Sequence, residues 1–292
     1  MSNLGSSATV TVVIPTFNAL ATLKVALASL FAQSFNEWKA VVVDDGSSDG
    51  TWAFLSELDD PRLHCIRNSE NQGRGVARQL GLDASRGEFV AFLDADDIYH
   101  PDKLSRQVQY LLRHPEIAFC ATGVASFDQE MQLRTVRHHA PKQTRVYDPH
   151  APMGFSPAST MLRRSAIGAA GFDPRYREVE DLDFFNKAFP GSRYQILPEV
   201  LYFYREFAGT SYRKVIRGHL GSIRIRAAQL RFSQPASVKV LARGIMRLML
   251  VALVLPLIGA ERLVARRGRV PGGEEVAAFE EAMAVVERSI PY

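Results

Sequence analysis

The sequence predicts an α/β fold, a Rossmann-like, mostly parallel sheet with helical crossovers, plus a helical C-terminal appendage. Three observations predict it. Short apolar, β-branched runs alternate with segments of helical periodicity at roughly 25–30-residue spacing, the pattern of repeated strand–helix units. Several of those runs end in polar loops, at Thr16/Asn18, Asp44/Asp45 and Asp94/Asp96/Asp97, and in a parallel sheet ligands gather at the carboxyl ends of strands. The chain has 292 residues, 47% hydrophobic and 23% charged, enough to bury a sizeable core.

Val10 to Pro15 is β-branched and reads as a strand ended by Pro15. Ala19 to Gln33 has helical periodicity, with Leu23, Leu27, Leu30 and Phe31 on one face. Trp38 to Val43 is a second strand running into Asp44-Asp45-Gly46-Ser47-Ser48-Asp49-Gly50-Thr51, a loop by its polarity and glycines. Asp49 is placed to cap a helix over Thr51–Leu58. Leu63–Arg67 is a third strand, Asn71 to Gly75 a turn, and Val76–Ser85 a helix stopped by Gly87. Phe89 to Leu93 is a buried strand that ends in three carboxylates within four positions. Side chains two apart on an extended segment point the same way, so Asp94 and Asp96 can face one spot. Two such carboxylates repel unless a cation lies between them. Oxygen donors few in number suit Mg²⁺ or Mn²⁺ that also holds substrate phosphates. The alternative for the same residues is a polar loop closing a core strand.

Further on, a helix runs from His100-Pro101-Asp102 to Arg113, and Ile117–Val124 is a strand. Met131–Pro149 reads as a hairpin or loop, with His138 and His139 a solvated pair, because adjacent residues of a strand point to opposite sides. Ser159–Leu162 is a short strand and Arg163–Ala169 a turn or short helix. A helix opened by Glu178-Val179-Glu180-Asp181-Leu182-Asp183 packs Leu182, Phe185 and Phe189 inward, and Val200–Tyr204 is the last strand. Acidic residues commonly complement a helix N-terminus. Four of them within six positions exceed what a cap requires.

The assembled motifs resemble glycosyltransferase family 2, with the GT-A fold. They are Val12-Val13-Ile14-Pro15-Thr16-Phe17-Asn18, Val41 to Thr51 with its Asp44-Asp45-Gly46-Ser47, Asn71-Gln72-Gly73 with Ala77-Arg78, and Gly87 to Asp97. Met161 to Arg164, Gly171-Phe172-Asp173 and Glu180-Asp181 follow in order, so the resemblance covers about residues 9–211. It implies an inverting, metal-dependent transfer of sugar from a nucleotide-diphosphate donor, UDP being the commonest, to an acceptor hydroxyl. The donor-binding residues implied are Pro15, Thr16, Phe17, Asn18, Asp45, Gly73, Arg78, Asp94, Ala95 and Asp96. Thr16 and Asn18 would lie near the nucleotide and Asp45 at the base edge. Asp94 and Asp96 would hold Mn²⁺ or Mg²⁺, and Asp181, paired with Glu180, would be the catalytic base. No Gln-x-x-Arg-Trp motif occurs, so one sugar per encounter is expected. After Tyr204-Arg205 stands Glu206, where some relatives offer the metal a histidine, so a third metal contact from protein is in question. A sugar nucleotidyltransferase would want a Gly-rich basic loop near the N-terminus, which Pro15 to Asn18 is not. A nucleotide-sugar-binding pseudoenzyme would not need Asp94, Asp96 and Asp181 together.

The catalytic domain is expected over residues 1–212 and a helical region over 213–292. Positive charge is concentrated in residues 213–269, where thirteen Lys and Arg face Glu261 alone, a net +12; residues 270–292 are net −4. Leu248–Ala260 is apolar throughout, but it is shorter than the about 20 residues a spanning helix needs, and Arg243, Arg247, Arg262, Arg266 and Arg267 flank it. This predicts a membrane-surface anchor over residues 240–270 meeting anionic lipid, the alternative being a helix buried on protein. Gly221–Phe232 would form an amphipathic helix on the same surface, and Glu274–Arg288 an acidic helix folding back on the basic stretch. Nothing there resembles a base-stacking platform, so no nucleic acid partner is expected. The partners expected are a nucleotide sugar and a glycan or lipid-linked acceptor. The two cysteines, Cys65 and Cys120, fit a reducing compartment, and Met1–Ala8 carries no leader pattern. The expected place of work is cytoplasmic, peripheral on the inner face of the cell membrane.

Overall fold

The computed structural model describes residues 9–137, 143–206, 212–228, 230, 235–258 and 268–289. The first half of the chain builds four parallel strands, β1 (Val10–Thr16), β2 (Trp38–Asp44), β3 (Leu63–Arg67) and β4 (Phe89–Phe92). The crossovers are α1 (Leu20–Phe31), α2 (Thr51–Glu57) and α3 (Arg74–Ala84). Successive residues of these strands feed opposite faces. Val10, Val12, Ile14, Ala40, Val42, Phe89 and Ala91 join one core, with Leu23 and Leu27 of α1. Val13 and Val90 enter a second core, and Val41 and Val43 meet Ala77 of α3. A sheet covered on both sides explains why these runs are continuously apolar rather than alternating.

The second half differs from a repeated parallel plan. After β5 (Ile98–Tyr99) and α4 (Lys103–Arg113) come β6 (Phe119–Phe127), β7 (Leu133–Arg137), β8 (Arg145–Val146), β9 (Met161–Arg163), α5 (Arg164–Ile167), α6 (Glu180–Ala188) and β10 (Arg193–Arg205). The sheet order is β3-β2-β1-β4-β9-β6-β10-β5, with β7 on β6 and β8 on β10. Strands β5, β7, β8 and β9 are antiparallel to their partners, while β6 and β10 run parallel. β10 begins seven residues before the expected Val200, at Arg193, and its register shift past Ile196 hides the strand pattern. Residues Pro157–Ser159 form a 3₁₀ turn, not the start of a strand. In α6 the inward residues are Phe184 and Phe185, followed by Phe189, while Leu182 is only half-buried. They join Phe119, Tyr147, Phe155, Phe172 and Tyr194 in an aromatic core, with Phe119 and Tyr194 stacked at 4.9 Å. His138 and His139 lie outside the described residues.

Gly87 does not stop α3, which ends at Ala84 with Ser85 already extended. Its role is close approach: a Cβ there would stand 2.7 Å from the Thr11 amide nitrogen. Asp49 was expected to cap α2, but the cap position is Gly50, and Asp49 stands one residue before it. Its carboxylate accepts from the Thr51 amide (3.0 Å) and the Leu20 amide (3.1 Å), tying the starts of α1 and α2 together.

Helices α7 (Tyr212–Ala228) and α8 (Pro235–Ile258) pack on each other, and α9 (Gly273–Ser289) ends the described chain. The acidic α9 was expected on the basic stretch. Instead its Phe279, Ala282 and Val286 bury against Ala28 of α1 and Ile98, Phe127 and Phe203 of the sheet. Apolar burial therefore decides its place; Arg269, paired with Glu275, is its link to the basic segment. Among the described residues no helix is long and apolar enough to cross a membrane.

Lys103 is fully buried in α4 beneath the sheet. Its Nζ donates to Gln107 Oε1 (2.7 Å) and stands 4.1 Å from the Tyr99 ring centroid. Burial lowers its pKa to about 7, from 10.5. Between those values the unfolded chain binds the extra proton, so stability rises with pH from about 7 upward. Lys103→Met is expected to unfold at higher urea than the wild type at pH 7 and to lack this rise, as urea midpoints measured across that range will check.

Candidate active site

The cleft lies where the strand order turns. β2 and β4 flank β1 on opposite sides, so the loops after them diverge and open a groove at their carboxyl ends. It has a volume of about 560 Å³. Pro15, Thr16, Phe17 and Asn18 line it after β1, Asp45 after β2, Gly73 before α3, and Asp94, Ala95 and Asp96 after β4. Nine of the twelve sequence-predicted site residues therefore share one cavity.

Local hydrogen bonds set each wall. The Asn18 amide donates to Ser47 Oγ (2.8 Å), and Asn18 Oδ1 accepts from the Ser48 amide (2.8 Å), stapling the first loop to the second. Asn18 takes a left-handed φ of 47°, a conformation asparagine tolerates better than most residues. Asp45 is buried and accepts from the Gln72 amide (3.0 Å), the Gly73 amide (2.7 Å) and Asn68 Nδ2 (2.8 Å). A carboxylate has about four acceptor sites, so about one remains. Asp44 turns away, its Oδ1 accepting from the Ser47 amide (3.2 Å). Thr16 Oγ1 is buried with no protein partner, one of the few orphaned polar atoms at the cleft.

Asp94 is half-buried and Asp96 exposed, both at the cleft. Asp97 points the other way. It accepts from the Tyr202 hydroxyl (2.6 Å) and the Arg205 amide (2.8 Å), and burial, with Asp96 and Asp94 beside it, holds its carboxyl well above the usual carboxylate range.

Arg78 corrects one expectation. It does not line the cleft. Its guanidinium is 2% exposed and gathers three carboxylates: Nη2 donates to Asp94 Oδ1 (2.6 Å), and Nη1 to Glu180 Oε1 (2.8 Å) and to Asp181. Those three anions keep it charged in spite of burial. Glu180 corrects a second. It is fully buried, so it cannot meet a substrate, and its Oε1 also pairs with Arg74 (2.6 Å). Burial and the neighbouring Asp181 push its pKa to about 7, against the pull of Arg78 and Arg74. Asp181 remains partly exposed, its side chain at 28%. The acidic cluster at the start of α6 is thus a set of partnered groups, Glu178 with Arg217 (3.6 Å) and Asp183 with Lys187 (2.5 Å) included.

Sequence reasoning did not single out three cationic groups of the cleft, Arg74, Arg177 and Arg205. Arg74 follows Gly73 directly, and Arg205 was noted only as a neighbour of Glu206; Arg177 carries no sequence signal. Arg205 Nε donates to the Asp96 carbonyl (3.1 Å), fixing that arginine beside the acidic loop. Among the described residues no three His, Cys, Asp or Glu side chains converge to hold a metal. Glu206 is turned to Ser126 Oγ (2.8 Å) and Arg137 (2.9 Å), away from Asp96. The donor set is therefore two hard carboxylates at the cleft mouth. That fits Mg²⁺ or Mn²⁺, ions that take one or two carboxylates and complete their shell with water and substrate phosphate.

A switch-point cleft at the carboxyl ends of parallel strands is where open α/β sheets bind their ligands. The chain belongs to glycosyl transferase family 2, whose family model matches residues 11–169. TuaG of Bacillus subtilis (strain 168), a glycosyltransferase assigned provisionally to teichuronic acid biosynthesis, is 31% identical over 59% of this chain and 69% of its own. WfgD of Escherichia coli, a UDP-Glc:α-D-GlcNAc-diphosphoundecaprenol β-1,3-glucosyltransferase, is 34% identical over 36% of this chain and 42% of its own. The fold is shared with Staphylococcus aureus TarS 1-349 in complex with UDP-GlcNAc, at a TM-score of 0.64 and 20% identity, covering 97% of this chain and 81% of that one.

Replacing Arg78 would leave Asp94, Glu180 and Asp181 facing one another with no shared counter-charge. Arg78→Leu is expected to destabilise the fold by roughly 3–5 kcal/mol near neutral pH. Without the guanidinium the carboxyls bind protons more readily, so the deficit should shrink on acidification. Urea unfolding of both proteins at neutral and mildly acidic pH measures both effects.

Proposed function

We propose that the protein transfers a single sugar, with inversion, from a nucleotide-diphosphate sugar to a hydroxyl of a lipid-linked precursor of an envelope glycan, UDP being the nucleotide. The observation that carries this reading is one guanidinium, Arg78, joining Asp94 in the cleft to Asp181 on a separate segment. Donor and acceptor chemistry need a site with that connection. The names of TuaG and WfgD support an envelope-glycan role and a diphosphoundecaprenol-type acceptor. An acceptor of that kind would bring the enzyme to the cytoplasmic face of the cell membrane. Residues 1–212 would form the catalytic domain and 213–292 its helical accessory region.

The nucleotide would lie along Thr16 to Asn18, with the base edge at the remaining acceptor site of Asp45. Arg74, Arg177 and Arg205 offer guanidinium forks to the diphosphate, whose oxygens they match in geometry as well as charge. Asp94 and Asp96 would hold Mn²⁺ or Mg²⁺, a Lewis acid that stabilises charge on the leaving diphosphate; Mn²⁺ is bound in the Pyrobaculum calidifontis mannosyltransferase PcManGT with GDP-Man, which shares the fold at a TM-score of 0.59 and 18% identity. Asp181 would take the proton of the attacking hydroxyl as its oxygen bonds to the anomeric carbon. The bond from that carbon to the donor phosphate oxygen breaks, and its electron pair leaves with the nucleoside diphosphate. A single displacement of this kind inverts the centre. Arg78 holds Asp181 in place, and Glu180 holds Arg78.

Asp181→Asn is expected to bind UDP within about twofold of the wild type and to lose turnover by roughly 10²–10⁴-fold, the usual contribution of a general base. Retained transfer in that variant would refute the role. Asp96→Asn is expected to abolish any gain in UDP affinity on adding Mn²⁺, measured by calorimetry; a gain equal to the wild type's would remove Asp96 from the metal site.

A further inference from the structure

Helix α8 carries two apolar faces, and among the described residues only one of them is covered by protein. Gly244 and Val251 turn toward α7: a Cβ on Gly244 would lie 3.6 Å from Ile223 Cγ1, and Val251 buries with Val215. Around the helix, Val238, Ile245, Met246, Met249, Leu250 and Leu253 are all exposed, between 38% and 71%. Their spacing of 7, 1, 3, 1 and 3 residues puts them on one stripe of a 3.6-residue helix. Arg243 and Arg247, both exposed and one turn apart, run along the edge of that stripe. Residues 212–258 contain nine Lys and Arg and no Asp or Glu.

Apolar surface so arranged is costly in water and marks a contact. Its chemistry selects the partner. A second copy of this chain would bring the Lys239, Arg243 and Arg247 of α8 against the same three charges across a self-complementary face, with no Asp or Glu in that helix to offset them. An anionic bilayer answers both features, since its acyl boundary accepts the stripe and its headgroups accept the arginines. We propose that the outward face of α8 seats the enzyme in the plane of an anionic phospholipid surface.

The seat is one helix layer away from the proposed base. α7 lies between α8 and the turn that leads into α6: a Cβ on Gly221 would stand 2.7 Å from Val179 Cγ2, and Arg217 pairs with Glu178 at 3.6 Å. Asp181 follows two residues later. The lipid face and the acceptor side of the site therefore share a scaffold, which suits an acceptor held in the same surface. That last step rests on the transferase reading; the lipid seat does not.

Co-sedimentation of the full chain with phosphatidylcholine vesicles containing about a quarter phosphatidylglycerol tests the seat. Binding to these and at least tenfold weaker binding to pure phosphatidylcholine are expected. The double substitution Met249→Ser, Leu253→Ser should weaken vesicle binding at least tenfold, the loss expected for two apolar side chains kept from the acyl boundary. Arg243→Gln with Arg247→Gln should weaken binding only to the anionic vesicles. All these side chains are exposed, so unfolding midpoints and UDP affinity should stay at wild-type values and separate lost docking from lost folding. The proposal is overturned if the wild type ignores anionic vesicles or the serine variant binds them equally. It is also overturned if ultracentrifugation shows a dimer that the serine variant abolishes. Vesicle binding without sugar transfer would leave the lipid seat standing and remove the transferase reading instead.

Discussion

One buried guanidinium holds the candidate site together. Arg78 sits on α3, yet its donors end on Asp94 after β4 and on Glu180 and Asp181 at the start of α6, stretches about ninety residues apart in sequence. Carboxylates brought this close would repel and take up protons. A cation among them reverses that, and an arginine does so with planar geometry and a charge that burial does not remove. The price of burying it is met by the three anions, one of which, Glu180, it shares with a second arginine, Arg74. The relative position of the cleft and α6 is therefore set by electrostatics rather than by apolar packing alone.

The sheet decides what that cluster faces. β1, β2 and β4 end side by side, and their following loops splay because α1 and α3 pass on opposite sides. The hydrogen bonds that shape those loops come from within them, Asn18 with Ser47 and Ser48, Asp45 with residues 72 and 73. The cleft walls are thus ordered by the same polar residues that leave acceptor and donor groups toward its interior.

The parallel half of the fold was legible because each strand is buried on both faces and each crossover helix shows its own period. Val10–Thr16, Trp38–Asp44 and Leu63–Arg67 lie within a residue of where their apolar runs place them. The other half was less legible for stated causes. β5 and β8 are two residues long, and β10 changes register midway, so neither offers a period to read. Helix α9 looks acidic along its sequence, yet three side chains, Phe279, Ala282 and Val286, outweigh that charge in deciding where it docks. In the site, the motifs located the cleft residues. They did not say which way Arg78 and Glu180 point, because burial of a charged side chain depends on partners that only the fold supplies.

The acidic doublets show the same division of labour three times. In Asp44-Asp45 the second residue lines the cleft while the first turns to Ser47 and Arg67. In Asp96-Asp97 the first lines the cleft while the second binds Tyr202 and the Arg205 amide. In Glu180-Asp181 the buried Glu180 holds two arginines while Asp181 keeps solvent access. Adjacent side chains diverge, on a helix such as α6 as well as in an extended or turning segment, so one of each pair is directed inward almost by geometry. What chemistry adds is that the inward member is never left alone: each has a donor from another element. A carboxylate presented to a substrate must hold still while its environment changes, and a neighbour anchored in the core fixes its backbone at little cost in reach. Each doublet therefore sets one carboxylate anchored in the core beside one that keeps access to the cleft or to solvent.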